Sequence, residues 1–264
     1  MTEKNINSVP EIKYQEYGQG KTIVFLHGFL ESSAIWEDFA QELSAQYRIF
    51  TIDLPGHGGS AVLGEEHSME LMAEEVKNIL EIEGVQKILL IGHSMGGYVS
   101  LAFAEKYPDM LKGLVLFHSQ AAADNEETKK NRDRTIEIVE KDKIPFIKNF
   151  IPDLFAPDNR KILNKEIDVL IDTALKTPKE GIIAAIKGMR NRKDRTHVIE
   201  SPKFPVMFIA GKYDTRAPLD LILEQVDNSE KAVVMIYEDC GHMGYLEARD
   251  ETLEVIYDFA STVW

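Results

Sequence analysis

Six short apolar runs limit what this chain can fold into: Thr22 to His27, Tyr47 to Asp53, Lys87 to Gly92, Leu111 to His118, Pro205 to Gly211 and Lys231 to Glu238. They are rich in Val, Ile and Leu and do not alternate with polar residues, the pattern of strands buried on both faces. Helix-length segments with three-to-four spacing lie between most of them, as in Leu71, Met72, Val76, Ile79, Leu80 and Glu83. Strand–helix alternation predicts an α/β fold with a mostly parallel sheet and helices on both faces. The spacing also predicts a helix from Met95 that stops before Pro108, and a last one from about Glu247 to Trp264.

The alternation breaks once, between Ser119 and Arg195, where no strand-like run occurs. Four amphipathic segments follow one another there, at Asn125 to Lys141, Ile144 to Phe155, Asn159 to Leu175 and Lys179 to Arg190. Residues 1–118 and 196–264 are therefore expected to form one core domain and 119–195 an inserted helical cap. A chain of 264 residues is long enough for one α/β core with such an insertion. Open α/β sheets bind ligands at the carboxyl ends of their strands, where a cap could cover the site.

Composition narrows the function classes. With 44 acidic against 30 basic side chains the formal charge is −14, a field that repels phosphate backbones and anionic lipid. Neither nucleic acid nor a membrane is an expected partner, and the charge implies a mild bias against anionic substrates. Cys240 is the single cysteine, so no intrachain disulfide or multi-cysteine metal cluster can form. Met1 to Pro10 lacks a secretory apolar stretch, and no run approaches the about 18 apolar residues needed to cross a bilayer. A cytoplasmic location is expected.

The chemistry is carried by Gly92-His93-Ser94-Met95-Gly96-Gly97, which follows the Lys87 to Gly92 run and opens a helix. G-x-S-x-G between strand and helix makes a turn so sharp that the glycines must lack Cβ, leaving the Ser94 hydroxyl at its apex. A phosphate cradle is excluded, because the G-x-x-x-x-G-K-[ST] spacing is absent. A serine hydroxyl is a poor nucleophile at neutral pH and needs a base that is itself oriented by an acid. Later strand ends supply both: Asp214 follows Pro205 to Gly211, and His242 follows Lys231 to Glu238 in a Gly-flanked loop. Ser94, Asp214 and His242 are the candidate catalytic residues, with His242 taking the Ser94 proton and Asp214 holding its tautomer. Phe29, after the first run, and Met95, after the nucleophile, are placed to supply oxyanion N–H groups.

Competing residues have simpler roles. His57, His67, His93, His118 and His197 lie elsewhere in the order of elements and are expected to be satisfied or surface histidines. Asp239 is three residues from His242 in one loop and is expected to form a turn. Asp53-Leu54-Pro55-Gly56-His57-Gly58-Gly59-Ser60 shapes a loop, having neither a following Lys nor a dinucleotide-binding register. No cofactor and no metal are expected.

These motifs resemble the α/β-hydrolase fold superfamily, in its cap-bearing, cofactor-free, esterase-like branch. The resemblance rests on His27-Gly28-Phe29, Asp53 to Gly58, Gly92 to Gly97, Asp214 and Gly241-His242, and fails mainly in the insertion. It implies an eight-stranded sheet, with an amino-terminal hairpin around Ile12 to Tyr17 and a strand before it, and a cap after the sixth strand. Relatives of this fold with aspartate or cysteine at the elbow, such as haloalkane dehalogenases, epoxide hydrolases and dienelactone hydrolases, are set aside by Ser94. The leading expectation is a carboxylesterase acting on a small-molecule ester, as a monomer or homodimer. Two alternatives share the motifs: a carbon–carbon bond hydrolase of a small diketone, and a receptor-like sensor with slow hydrolysis. For the diketone, basic residues between Gly188 and Arg195 could bind a carboxylate, or simply form a solvated run where the insertion rejoins the sheet.

Overall fold

The computed structural model describes residues 11–264. Its centre is a sheet of seven strands: β1 (Tyr14–Tyr17), β2 (Lys21–Leu26), β3 (Tyr47–Ile52), β4 (Ile88–His93), β5 (Leu111–Phe117), β6 (Val206–Gly211) and β7 (Ala232–Tyr237). They lie in the order β1-β3-β2-β4-β5-β6-β7, with β1 antiparallel to β3 and every other pair parallel. The mostly parallel sheet is as expected, but the strand count among the described residues is seven rather than eight. The expected hairpin around Ile12 to Tyr17 is the single strand β1, and a strand before it would fall on residues 1–10, outside the described residues.

Twelve α-helices surround the described sheet: α1 (Glu37–Leu43), α2 (Met69–Ile82), α3 (Met95–Lys106), α4 (Glu126–Lys141), α5 (Lys143–Phe150), α6 (Asn159–Ile162), α7 (Asn164–Lys176), α8 (Lys179–Arg190), α9 (Thr196–Glu200), α10 (Leu219–Asp227), α11 (Gly244–Glu247) and α12 (Arg249–Val263). The predicted helix from Met95 ends at Lys106, before Pro108. Ser68 caps α2 by accepting the Leu71 N–H at 3.1 Å, which aims Met72, Val76, Ile79 and Leu80 into the core. The predicted carboxyl-terminal helix is split by Ala248 into α11 and α12.

Every residue of β4 is buried, and β2, β3, β5 and β6 are nearly so. Each fully buried Ile or Leu there contributes about 1.5–3 kcal/mol, which fixes the register of the central strands. β7 departs from the expectation of burial on both faces. As the edge strand it alternates, leaving Val233 and Met235 exposed.

Between β5 and β6 the chain is helical from α4 to α9, where the sequence breaks its alternation. These helices are fastened to the rest by charge. Arg195, 2% exposed, bonds Glu70 of α2 at 2.7 Å and Glu105 of α3 at 3.0 Å. The parallel strands bring the loops after β2, β4, β5, β6 and β7 to one edge of the sheet, beneath the helical segment.

Candidate active site

Ser94 sits between β4 and α3 with φ 50° and ψ −112°, a conformation that costs a non-glycine residue about 1–3 kcal/mol. The surroundings hold it there. Its N–H donates to the Phe117 carbonyl at 2.9 Å, and its carbonyl accepts from Ser119 Oγ at 2.8 Å and Gly97 N at 2.9 Å. The glycines are a packing necessity. A Cβ at Gly92 would lie 2.3 Å from the Gly96 carbonyl oxygen, and one at Gly96 would lie 2.7 Å from the Leu26 and His27 carbonyls. Of residues 92–97, Ser94 alone is not buried.

Asp214 and His242, on the loops after β6 and β7, meet in the structure. His242 Nδ1 is 2.7 Å from Asp214 Oδ2 and donates to it. The other carboxylate oxygen accepts the backbone N–H groups of Arg216 at 2.8 Å and Ala217 at 3.0 Å. Burial alone would raise the Asp214 pKa, but the charge of His242 and the hydrogen bonds of both neighbouring histidines hold it well below the usual carboxylate range. Ser94, His242 and Phe29 line one cavity of about 680 Å³, a size suited to a small molecule. Its opposite wall comes from the helical segment, including Thr128 of α4, Phe150 of α5 and Ile186 of α8. The Phe29 and Phe150 rings meet edge to face across it, with centroids 6.0 Å apart.

The backbone N–H groups of Phe29 and Met95 find no acceptor among the described residues. Cys240, by contrast, is buried with its thiol pushed far up by desolvation and by Glu247, which removes it as a nucleophile. Asp239 is exposed, and its backbone carbonyl accepts from Asn159 Nδ2 at 2.8 Å.

Two participants are not signalled by any motif. Glu31, 2% exposed, accepts from Gly28 N at 2.5 Å, His93 Nδ1 at 2.8 Å and the Tyr245 hydroxyl at 3.1 Å. His93 in turn donates from Nε2 to the His242 carbonyl at 2.9 Å. Burial opposes charge on both groups, yet their mutual attraction and hydrogen bond hold Glu31 below and His93 above their ordinary pKa values. This ion pair thus ties the loop carrying Phe29, the elbow and the His242 loop together. The second participant is His118, at the end of β5 with φ 48°. It is one of the histidines expected to be satisfied or on the surface; it is buried, and its Nδ1 donates to Asp214 Oδ2 at 3.0 Å, so two imidazoles share one oxygen. Burial lowers its pKa and keeps it neutral.

His118, Asp214 and His242 also have potential ligand atoms within 4.8 Å of one another. Both Nδ1 atoms donate to Asp214, and these two hydrogen bonds account for the closeness of the three groups. No helix among the described residues is long and apolar enough to cross a membrane.

A family model described as alpha/beta hydrolase fold matches residues 21–249. The chain is 30% identical to a thermophilic esterase from Thermogutta terrifontis, solved with malate bound, over 96% of this chain and 94% of that one, with a TM-score of 0.92. It is 25% identical to a 2-hydroxy-6-oxononadienedioate/2-hydroxy-6-oxononatrienedioate hydrolase from Paraburkholderia phymatum, covering 94% of this chain and 90% of that protein. A pimeloyl-[acyl-carrier protein] methyl ester esterase from Aeromonas salmonicida is 36% identical over 39% of this chain and 40% of its own.

Proposed function

Since this chain belongs to the alpha/beta hydrolase fold family, we propose that it is a serine hydrolase that cleaves small carboxylic esters through an acyl-enzyme on Ser94. The observation that carries this is the arrangement around one cavity: Ser94 at the apex of a strained turn, and His242 bonded through Nδ1 to Asp214 at 2.7 Å. His242 Nε2 accepts the Ser94 hydroxyl proton as Oγ attacks the ester carbonyl. The Phe29 and Met95 N–H groups stabilise the oxyanion of the tetrahedral intermediate. When it collapses, His242 returns the proton to the leaving alkoxide; water then attacks the acyl-enzyme, with His242 again as base, and releases the acid. Asp214 remains ionised, steadying the imidazolium. Residues 119–195 act as the cap over this site, giving it the lining contributed by α4, α5 and α8.

Ser94→Ala should lower turnover of a short p-nitrophenyl ester by about 10⁶. Activity within tenfold of wild type would end the assignment. A second reading, carbon–carbon bond hydrolysis of a small diketone, is favoured by the length over which the chain matches the oxononadienedioate hydrolase. Loss of a ring-fission product's ultraviolet chromophore, faster than ester cleavage, would select it.

A further inference from the structure

The cavity has a local charge opposite to that of the protein. Its charged lining comprises Asp124, Arg132, Arg192 and Arg216, three guanidinium groups against one carboxylate, in a chain whose formal charge is −14. Two of the cations are already committed. Arg132 and Arg192 both pair with Asp124, the latter at 2.5 Å with its guanidinium stacked 4.1 Å from the Tyr98 ring centroid. Arg216 differs. Its guanidinium lies 4.8 Å from the Phe150 ring centroid, but no carboxylate among the described residues comes within ion-pair distance of it. Asp214 takes only its backbone N–H, and Asp153, whose charge also reaches it, is paired with Arg160 at 3.2 Å.

The position of Arg216 is fixed by the catalytic loop. It lies two residues after Asp214, whose Oδ1 anchors its backbone, while Phe150 of α5 holds its other end by a cation–π contact. A guanidinium presented to a cavity on an aromatic face, with its forked donors uncommitted, is suited to bidentate capture of a carboxylate. Arg216 is itself exposed, so water and salt weaken its plain charge attraction and the paired hydrogen bonds of the fork carry the recognition.

We propose that Arg216 is the anion-recognising residue of the cavity and that the substrates are small esters carrying a carboxylate beyond the scissile bond. This substrate class rests on the serine hydrolase reading; the anion site itself does not. The test compares pairs that share the scissile ester and differ by a carboxylate: mono-p-nitrophenyl glutarate against p-nitrophenyl pentanoate for an acyl-side carboxylate, and 4-acetoxybenzoate against phenyl acetate for an alcohol-side one. In the wild type, at least one anionic member should exceed its neutral partner in kcat/KM by about tenfold or more, mainly through KM. Arg216→Gln should reduce that ratio at least about tenfold and Arg216→Lys less, since Lys keeps the charge but not the fork. The proposal is overturned if neither pair favours the anion, or if Arg216→Gln keeps the preference. Isothermal titration of glutarate separates the two levels. If no ester is cleaved, the hydrolase reading fails, yet glutarate binding to wild type and at least tenfold weaker binding to Arg216→Gln would still support the anion site. Absence of binding, or tighter binding of inorganic phosphate than of glutarate, would refute a carboxylate site.

Discussion

Replacing Glu31 by Gln tests whether the buried ion pair behind the site organises it. The substitution keeps the shape of the side chain and removes one charge from a carboxylate that receives three donors, at 2.5, 2.8 and 3.1 Å. A single amide oxygen cannot accept from all three, and its NH₂ group would oppose an N–H donor or force the Tyr245 hydroxyl to turn from donor to acceptor. Breaking a buried pair by removing one partner costs about 3–5 kcal/mol. For a chain of this length each kcal/mol moves the melting temperature by about 2 °C, so Glu31→Gln should melt about 6–10 °C below wild type.

The pH dependence gives the sharper signature. His93 has a folded pKa raised above its ordinary 6.5, so its share of the stabilisation is full below that value and is lost as pH rises through the folded pKa. Glu31 has a folded pKa lowered below 4.5, so its share is full above that value and is lost as pH falls through the folded pKa. The melting difference between wild type and Glu31→Gln should therefore be greatest between pH 4.5 and 6.5 and shrink in alkaline buffer. Calorimetry across that range measures it. A difference that stays constant into the alkaline range, or a shift below about 2 °C at its greatest, would refute a charged Glu31–His93 pair.

Two further substitutions address the proposed nucleophile and its proposed base. Gly92→Ala would force a methyl group to within 2.3 Å of the Gly96 carbonyl and 2.5 Å of Ser100 Oγ. Displacing the elbow by even about 1 Å should cost roughly 10²-fold in ester turnover; near-wild-type kcat would show that the elbow tolerates movement. Asp214→Asn leaves an amide facing four donors, those of His118, His242, Arg216 and Ala217. It should drop kcat by about 10⁴ through the wrong His242 tautomer, and a loss below tenfold would mean that Asp214 does not orient the base.

What the sequence revealed of this site is what chain geometry alone demands. A strand running into G-x-S-x-G announces itself because the glycines are needed for contacts with backbone a few residues away, such as Gly92 against Gly96. The central strands are legible for a similar reason, since burial on both faces leaves an unbroken apolar run. Edge strand β7 has an equally apolar sequence, yet Val233 and Met235 are exposed and only Tyr237 is buried, because composition does not say which strand ends the sheet. Glu31 and His118 carry no local mark at all. Their roles come from partners 62 and 96 residues away in the chain, His93 and Asp214, and an isolated polar residue has no periodicity to reveal such a contact.

Charge shows the same division between what summation preserves and what folding creates. The basic run from Gly188 to Arg195 offers four cations in sequence, but folding commits them to carboxylates: Arg190 to Asp133, Arg192 to Asp124, Lys193 to Glu70 and Arg195 to Glu70 and Glu105. That run fastens the helical segment instead of meeting a ligand alone. Arg216 stands outside any cluster, and its uncommitted guanidinium exists only because Asp153 and Asp214 are spoken for by other groups. The −14 of the whole chain suggested a mild bias against anionic substrates, but a net charge averages over a surface that a molecule inside the cavity does not meet. At the short distances within that cavity, three guanidinium groups meet the one carboxylate of Asp124, a local excess of positive charge, whereas solvent and salt screen exposed carboxylates beyond about 10 Å. The field that matters to a substrate is thus set by which ion pairs folding leaves incomplete.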